Sequence, residues 1–334
     1  MEKVMSRKLI TISTIMTLMS TSVIADVPNV AADIAPIHSL VSRVMDGVGA
    51  PKLIVQSGAS PHGYRLRPSE AKALQDADHV FWMGEELTPW LDSAIGTLAS
   101  KASVTTLLDQ QGVILHDFRE GALFEAHDHS AHGDDDHDDH DDHDDHDDHK
   151  DHDDHDDHDD HDDHGSHDPH AWLSPENAKL WLNIIASKLS VSDPENAATY
   201  FMNAAAGQAE IEAMIAEVKA TLKPVQGGKF VVFHDAYQYF ENDFDFYASG
   251  AISLGDSSDP SPARIEKVQK RIRDEGIQCV LAEPQFKKGL VATVMEGSDA
   301  TASVIDPLGA ELETGPKLYT RLIKNMAKTL RNCL

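Results

Sequence analysis

Three histidines occupy positions typical of metal ligands. His62 follows a predicted strand, His170 precedes a predicted helix, and His234 ends a predicted strand. Neutral imidazole binds Zn²⁺, Cu²⁺ and Ni²⁺ well. Each histidine taken alone is better explained as a hydrogen-bonded polar residue. Their joint placement at strand and helix ends indicates a metal site, because ligands in open α/β sheets bind beyond the carboxyl ends of the strands.

A fourth candidate ligand is Asp306, which follows a predicted strand in the run Val304–Gly309. An aspartate in this position also caps helices and stabilises turns, since its carboxylate accepts backbone N–H groups. The sequence leaves both roles open.

A second concentration of metal-binding side chains lies in Ala126–Asp168. This tract holds 14 of the 20 histidines, and its core repeats Asp-Asp-His up to His164. It offers almost no apolar surface to bury, so we expect it to be disordered. A mobile chain of imidazoles and carboxylates predicts a multivalent metal-binding segment of low specificity. The alternative, an acidic solubilising loop, does not need a histidine at every third position.

The charge of the chain is concentrated in that tract. The tract accounts for −21 of the formal charge of −29, so the rest of the protein carries only about −8. A chain this acidic is repelled by nucleic acid and by anionic membrane surfaces. We therefore expect no nucleic-acid partner.

The N-terminus has the pattern of a secretory signal peptide over residues 1–25. Basic residues precede the apolar run Leu9–Met19, and small residues lead to a predicted cleavage after Ala25. The run is too short for a membrane span. Export predicts that Cys279 and Cys333 form a disulfide, with two buried free thiols as the alternative.

Apolar runs and amphipathic stretches alternate on both sides of the tract, which predicts α/β lobes with mostly parallel sheets and flanking helices. The predicted strands are Val27–Ala31, Lys52–Gln56, His79–Met83, Val104–Leu108, Lys229–Phe233, Tyr247–Ile252, Gln278–Ala282 and Ser303–Ile305. We predict an N-terminal lobe over 26–190 and a C-terminal lobe over 224–334. Between them, 191–223 should form a long, rigid linker helix started by Asp193-Pro194.

Five motifs together resemble the ZnuA-type zinc-binding proteins, the periplasmic solute-binding subunits of bacterial zinc ABC transporters. The motifs are Ser60–Ser69, Asp168–Pro175, Phe233–Tyr237, Ala282–Phe286 and Asp306–Gly309. The resemblance covers the whole predicted mature chain, including the His/Asp-rich insertion and the cysteine pair. It implies two lobes joined by a long rigid helix, as in class III (cluster A-I) solute-binding proteins.

The resemblance also implies that His62, His170 and His234 bind Zn²⁺ in the cleft between the lobes. Some relatives use a Glu immediately before the first histidine, but this chain has Pro61 there. The fourth ligand is then water, Asp306 or a histidine of the tract. Each imidazole should turn its other ring nitrogen to a hydrogen-bond acceptor. Manganese-binding relatives replace the third histidine with Glu, whereas His234 favours zinc.

The implied function is capture of Zn²⁺ in the periplasm and its delivery, by a monomer, to a membrane permease with a cytoplasmic ATPase. Three other functions are compatible with a cluster of histidines in an exported protein. A zinc hydrolase is disfavoured because the sequence lacks His-Glu-x-x-His, Gly-x-Ser-x-Gly and P-loop motifs. A metal buffer without a transporter, and a carrier of Ni²⁺, Cu²⁺ or Mn²⁺, stay open from the residues alone.

Overall fold

The computed structural model describes residues 27–119, 124, 167–253, 255, 260–285 and 288–334. The predicted signal peptide and residues 126–166 of the tract lie outside this part of the chain. No helix among the described residues is long and apolar enough to cross a membrane.

The first lobe is built on a four-stranded parallel sheet. Its strands are β1 (Val30–Ala32), β2 (Lys52–Leu53), β3 (His79–Trp82) and β4 (Ser103–Thr106), in the order β2-β1-β3-β4. The connections carry α1 (Ala35–Val44), α2 (Pro68–Gln75) and α3 (Pro89–Leu98). The inner strands β1 and β3 are buried along their length, as expected for a parallel sheet covered on both faces.

The second lobe repeats this topology. Its strands are β5 (Phe230–His234), β6 (Ala251–Ser253), β7 (Cys279–Ala282) and β8 (Thr301–Val304), all parallel, in the order β6-β5-β7-β8. Its connections hold α6 (Gln238–Phe244), α7 (Pro262–Glu275) and α8 (Lys288–Met295), and α9 (Leu318–Cys333) follows the last strand. The chain order of strands reverses direction between β5 and β7, which is where open sheets bind ligands.

Two long helices connect the lobes. Helix α4 covers Pro175–Ser192, and α5 covers Ala197–Leu222 after a 3₁₀ turn at Pro194–Asn196. At 26 residues, α5 is about 39 Å long. Its buried residues recur every three or four positions, which gives one continuous apolar face: Tyr200, Ala204, Gly207, Ile211, Met214, Val218 and Leu222. That face packs on α1, α4 and α9, so it contacts elements of both lobes.

The two connecting helices start in different ways, and α5 begins at Ala197, just after the predicted start at Asp193-Pro194. Ser174 caps α4, since its hydroxyl accepts the N–H of Asn177. Asp193 does not cap α5 in that way. Its carboxylate accepts hydrogen bonds from the side chains of Asn196 and Tyr200 and so fixes the turn between the two helices.

Direct hydrogen bonds also join the lobes. The indole N–H of Trp172 donates to the carbonyl of Pro307, and the hydroxyl of Tyr319 donates to the carbonyl of Trp172. The predicted disulfide between Cys279 and Cys333 is confirmed, and it ties the start of β7 to the end of α9. The lobes therefore share one buried core.

Candidate metal centre

The topology of the second lobe places His234 at the edge where ligands bind. His234 is the last residue of β5 and is 3% exposed. Its Nδ1 lies 2.6 Å from Oε1 of Glu283, the residue after the neighbouring strand β7. The other oxygen of Glu283 accepts the amide N–H of Gln285 at 2.8 Å. Adjacent strand ends thus supply both the imidazole and the carboxylate that orients it.

His170 has a matching partner in the other lobe. It precedes a 3₁₀ turn at Ala171–Leu173, and its Nδ1 lies 2.6 Å from Oδ1 of Asp168. The same oxygen accepts the backbone N–H of His170. Burial raises the pKa of Asp168 to about 7, against the lowering effects of this N–H and of the charge of Arg119. For two of the three histidines, the expected acceptor for the second ring nitrogen is therefore confirmed.

The Nε2 atoms of these two histidines face each other. Nε2 of His170 and Nε2 of His234 are 3.4 Å apart. A tetrahedral zinc ion with Zn–N distances of 2.0–2.1 Å separates two of its ligands by about 3.3–3.4 Å. A neutral imidazole that donates from Nδ1 to its carboxylate carries its lone pair on Nε2, the form in which it binds a metal ion. Two lone pairs at this distance repel unless a proton or a cation lies between them.

His62 borders the same space. Its ring centroid is 5.5 Å from that of His170. The loop that carries it is held by Trp90, whose indole N–H donates to the carbonyl of Pro61 at 2.7 Å. The cavity measures about 10 Å³, room for roughly one water-sized body. Its lining is Pro61, His62, His170, Trp172, His234, Gln285, Pro307 and Leu308.

The three imidazoles do not form a complete metal-binding arrangement in this structure. Within the described ranges, no three His, Cys, Asp or Glu side chains are arranged to hold a metal ion. The Nε2 atoms of His170 and His234 thus lie at the distance expected for two ligands of one zinc ion, whereas His62 lies at the cavity wall.

Asp306 lies beside this cavity without lining it. Its Oδ1 accepts the backbone N–H groups of Leu308 and Gly309 at 3.0 and 2.8 Å. This is the turn role that the sequence left open, and the turn presents Pro307 and Leu308 to the cavity. Asp306 itself borders a separate cavity of about 620 Å³ against α9.

The last residues of the His/Asp-rich tract pair with the segment that precedes the tract in the chain. Asp117 and His167 form an antiparallel β-bridge, and the N–H of Asp168 donates to the carbonyl of His116 at 2.7 Å. The last residue of the tract, Asp168, is thus two residues before His170.

A known protein family matches nearly the whole chain. The family model described as ZnuA, zinc-uptake complex component A, periplasmic, matches residues 30–333. The chain belongs to the ZnuA family.

Individual members of the ZnuA family match over nearly the whole chain. The high-affinity zinc uptake system protein ZnuA of Brucella abortus (strain 2308) is 49% identical over 305 residues, 91% of each chain. That of Paracoccus denitrificans (strain Pd 1222) is 45% identical over 311 residues, 93% of each chain. A crystal structure of a 138–173 ZnuA deletion mutant with zinc bound aligns with a TM-score of 0.69 at 20% identity, over 92% of this chain and 98% of that one. At this identity the structural match shows the fold.

Three residues of this ZnuA family member make contacts that the sequence does not predict. Asp168 and Glu283 lie inside two of the five motifs, but nothing in the sequence shows which carboxylate contacts which imidazole. Arg119 lies outside every motif. Its guanidinium binds Asp235 and Glu241 across the two lobes, and only the structure shows this contact.

Proposed function

We propose that this chain is a periplasmic Zn²⁺-binding protein that captures zinc and delivers it to the permease of an ABC transporter. In this proposal, residues 1–25 direct export and are removed, and the mature protein acts as a monomer. The observation that carries the proposal is the pair of Nε2 atoms 3.4 Å apart, each on a ring oriented by a carboxylate. The names of the relatives are those of uptake components rather than enzymes.

The proposed zinc ligands are His62, His170 and His234. His62 borders the cavity and completes the set by a side-chain movement toward the other two rings. The fourth position belongs to water, to Asp306 or to a histidine of the tract. Three nitrogen ligands favour Zn²⁺ over Mn²⁺, which prefers carboxylate oxygen. Because imidazole must be neutral to bind, acidification should release the metal.

The tract is proposed to collect zinc for this site. As a flexible coil, its 43 residues reach roughly 35 Å on average. The bridge between Asp117 and His167 supports the proposal, since it fixes the last residues of the tract near His170. Captured zinc would then pass to the cavity within one molecule, at a high effective concentration.

Zinc titration by calorimetry tests the site. In a chain lacking Asp134–His164, we expect one tight zinc equivalent, which is lost when His62, His170 or His234 is changed to Ala. His116→Ala is the matched control, because His116 does not line the cavity, and it should keep the tight equivalent. Unchanged tight binding in any of the three variants would remove that residue from the site. Metal analysis of protein purified without added metal identifies the cargo.

Uptake during zinc starvation tests delivery. Cells in which the complete chain is replaced by the His234→Ala variant should grow as poorly as cells without it. Deletion of Asp134–His164 should reduce uptake only when zinc is scarce. If both strains took up zinc normally, the transport role would be wrong.

A further inference from the structure

Arg119 forms a buried ion-pair cluster between the lobes. Its Nε lies 3.0 Å from each carboxylate oxygen of Asp235, and its Nη1 lies 2.6 Å from Oε2 of Glu241. The three side chains are 17%, 7% and 1% exposed. The ring of Phe124 covers the guanidinium, with its centroid 3.6 Å from the central carbon. The guanidinium of Arg119 thus pairs with two carboxylates at a site with little exposure to solvent.

The charges in this cluster depend on one another. Burial alone would lower the pKa of Arg119, but hydrogen bonds and charges from Asp235 and Glu241 raise it above its ordinary value. Removing one partner of such a cluster leaves an uncompensated buried charge. The cluster therefore favours the arrangement in which the two lobes meet at Arg119.

The cluster connects the chain segments that carry two proposed zinc ligands. Asp235 directly follows His234. Arg119 lies two residues after Asp117, whose bridge to His167 leads into the segment of His170.

We propose that Arg119 is a positioning residue of the zinc site, whose ion pairs across the lobes hold His234 beside His170 before zinc arrives. This inference rests on the proposed zinc-binding function. A protein whose binding-competent state is only partly populated shows a weaker apparent affinity by that fraction. Loss of Arg119 should therefore weaken zinc binding without changing the complex formed at saturation.

The experiment uses the complete chain and titrates zinc against a competing chelator. Tryptophan fluorescence follows occupancy, because Trp172 lines the cavity, and the signal of His170→Ala is subtracted as the contribution of the tract. The variants are Arg119→Gln, Arg119→Lys, and Arg119→Gln with Glu241→Gln, which keeps the net charge of the cluster. Arg43→Gln is the matched control, since Arg43 is similarly buried and binds Glu210 far from the cavity.

We expect Arg119→Gln and the charge-matched double variant to bind zinc at least about tenfold more weakly, with the full fluorescence change at saturation. Arg119→Lys keeps the charge but not the two-pronged geometry and should lose about threefold. Arg43→Gln should bind as the unaltered chain does. If Arg119→Gln does not fold, the other two variants decide.

Zinc affinities of the Arg119 variants equal to that of Arg43→Gln would overturn the inference. A reduced fluorescence change at saturation would overturn it too, since this would indicate an altered site rather than an altered population. An unaltered chain with no signal beyond that of His170→Ala would instead refute the zinc site itself.

Discussion

Nε2 of His170 and Nε2 of His234 lie 3.4 Å apart, although the two residues belong to different lobes. A buried carboxylate contacts Nδ1 of each ring and orients it: Asp168 for His170 and Glu283 for His234. Two ring nitrogens from different lobes are thus brought to one place by the folded chain itself. In the proposed zinc site, this arrangement would exist before zinc binds.

The first prediction concerns Glu283, which orients His234. In Glu283→Gln, an amide N–H₂ replaces one of two accepting oxygens, so the contact with His234 or with Gln285 is lost. We expect zinc affinity to fall about 10- to 100-fold, as is typical when the partner of a metal-binding histidine is removed. Calorimetry with the tract deleted measures it. Glu311→Gln, an exposed carboxylate on the neighbouring cavity, is the control; an equal affinity in both variants would contradict this role.

The second prediction concerns Asp33, which joins β1 to β3. Its two oxygens accept the N–H groups of Ile34 and Met83, and burial raises its pKa to about 7. Between about pH 4 and pH 7 the folded chain keeps the proton that the unfolded chain has lost. The contribution of Asp33 to the free energy of unfolding therefore falls as the pH rises through this window, by an amount on the order of 4 kcal/mol.

Urea unfolding of the metal-free protein at several pH values checks this. The difference in stability between the unaltered chain and Asp33→Asn should shrink from pH 4 to pH 7 and stay level above pH 8. The exposed Asp109→Asn is the control and should show no such trend. A difference independent of pH would refute the predicted titration.

The third prediction compares two helical glycines. A Cβ on Gly207 in α5 would lie 2.9 Å from Leu182 and 3.1 Å from Arg43, whereas one on Gly96 in α3 would meet nothing within 4 Å. Gly207→Ala should lower the free energy of unfolding by about 1–3 kcal/mol, because it overpacks the contact of α5 with α4 and α1. Gly96→Ala should raise it by about 0.5–1 kcal/mol, because alanine favours the helix. Denaturation that shows the same sign for both would disprove the close approach.

The fourth prediction concerns the disulfide between Cys279 and Cys333. It closes a loop with a sequence separation of 54 residues. The double variant Cys279→Ala with Cys333→Ala should lose about 2–4 kcal/mol of stability, chiefly because its unfolded chain is less restricted. Urea unfolding with and without reductant measures this. Reductant should destabilise the unaltered chain alone, and an effect on the double variant as well would point to another cause.

Much of the fold followed from the sequence, because strands buried on both faces and helices with capped starts leave strong local patterns. Proline, whose fixed φ favours the first helical turn, opens α2, α4 and α7 in the structure. Strand ends were less predictable. The predicted strand Tyr247–Ile252 is in fact Ala251–Ser253, because pairing with β5 rather than local apolarity decides where it begins.

The site was predictable in its residue types and only partly in its arrangement. The placement of His170 and His234 near strand and helix ends pointed to a shared cavity, and the structure brings them together. The pairing of His170 with Asp168 and of His234 with Glu283 depends on how separate strands lie side by side. The cluster at Arg119 depends on contact between lobes, which no local pattern encodes.

The β-bridge between Asp117 and His167 makes the arrangement of the fold independent of the number of residues between them. Because Asp117 and His167 are paired side by side, additional Asp-Asp-His triplets between them would not require these two residues to move apart. The entropic cost of closing such a loop grows only with the logarithm of its length. If the tract collects zinc as proposed, the number of repeats can change how much it holds while the cavity stays unchanged.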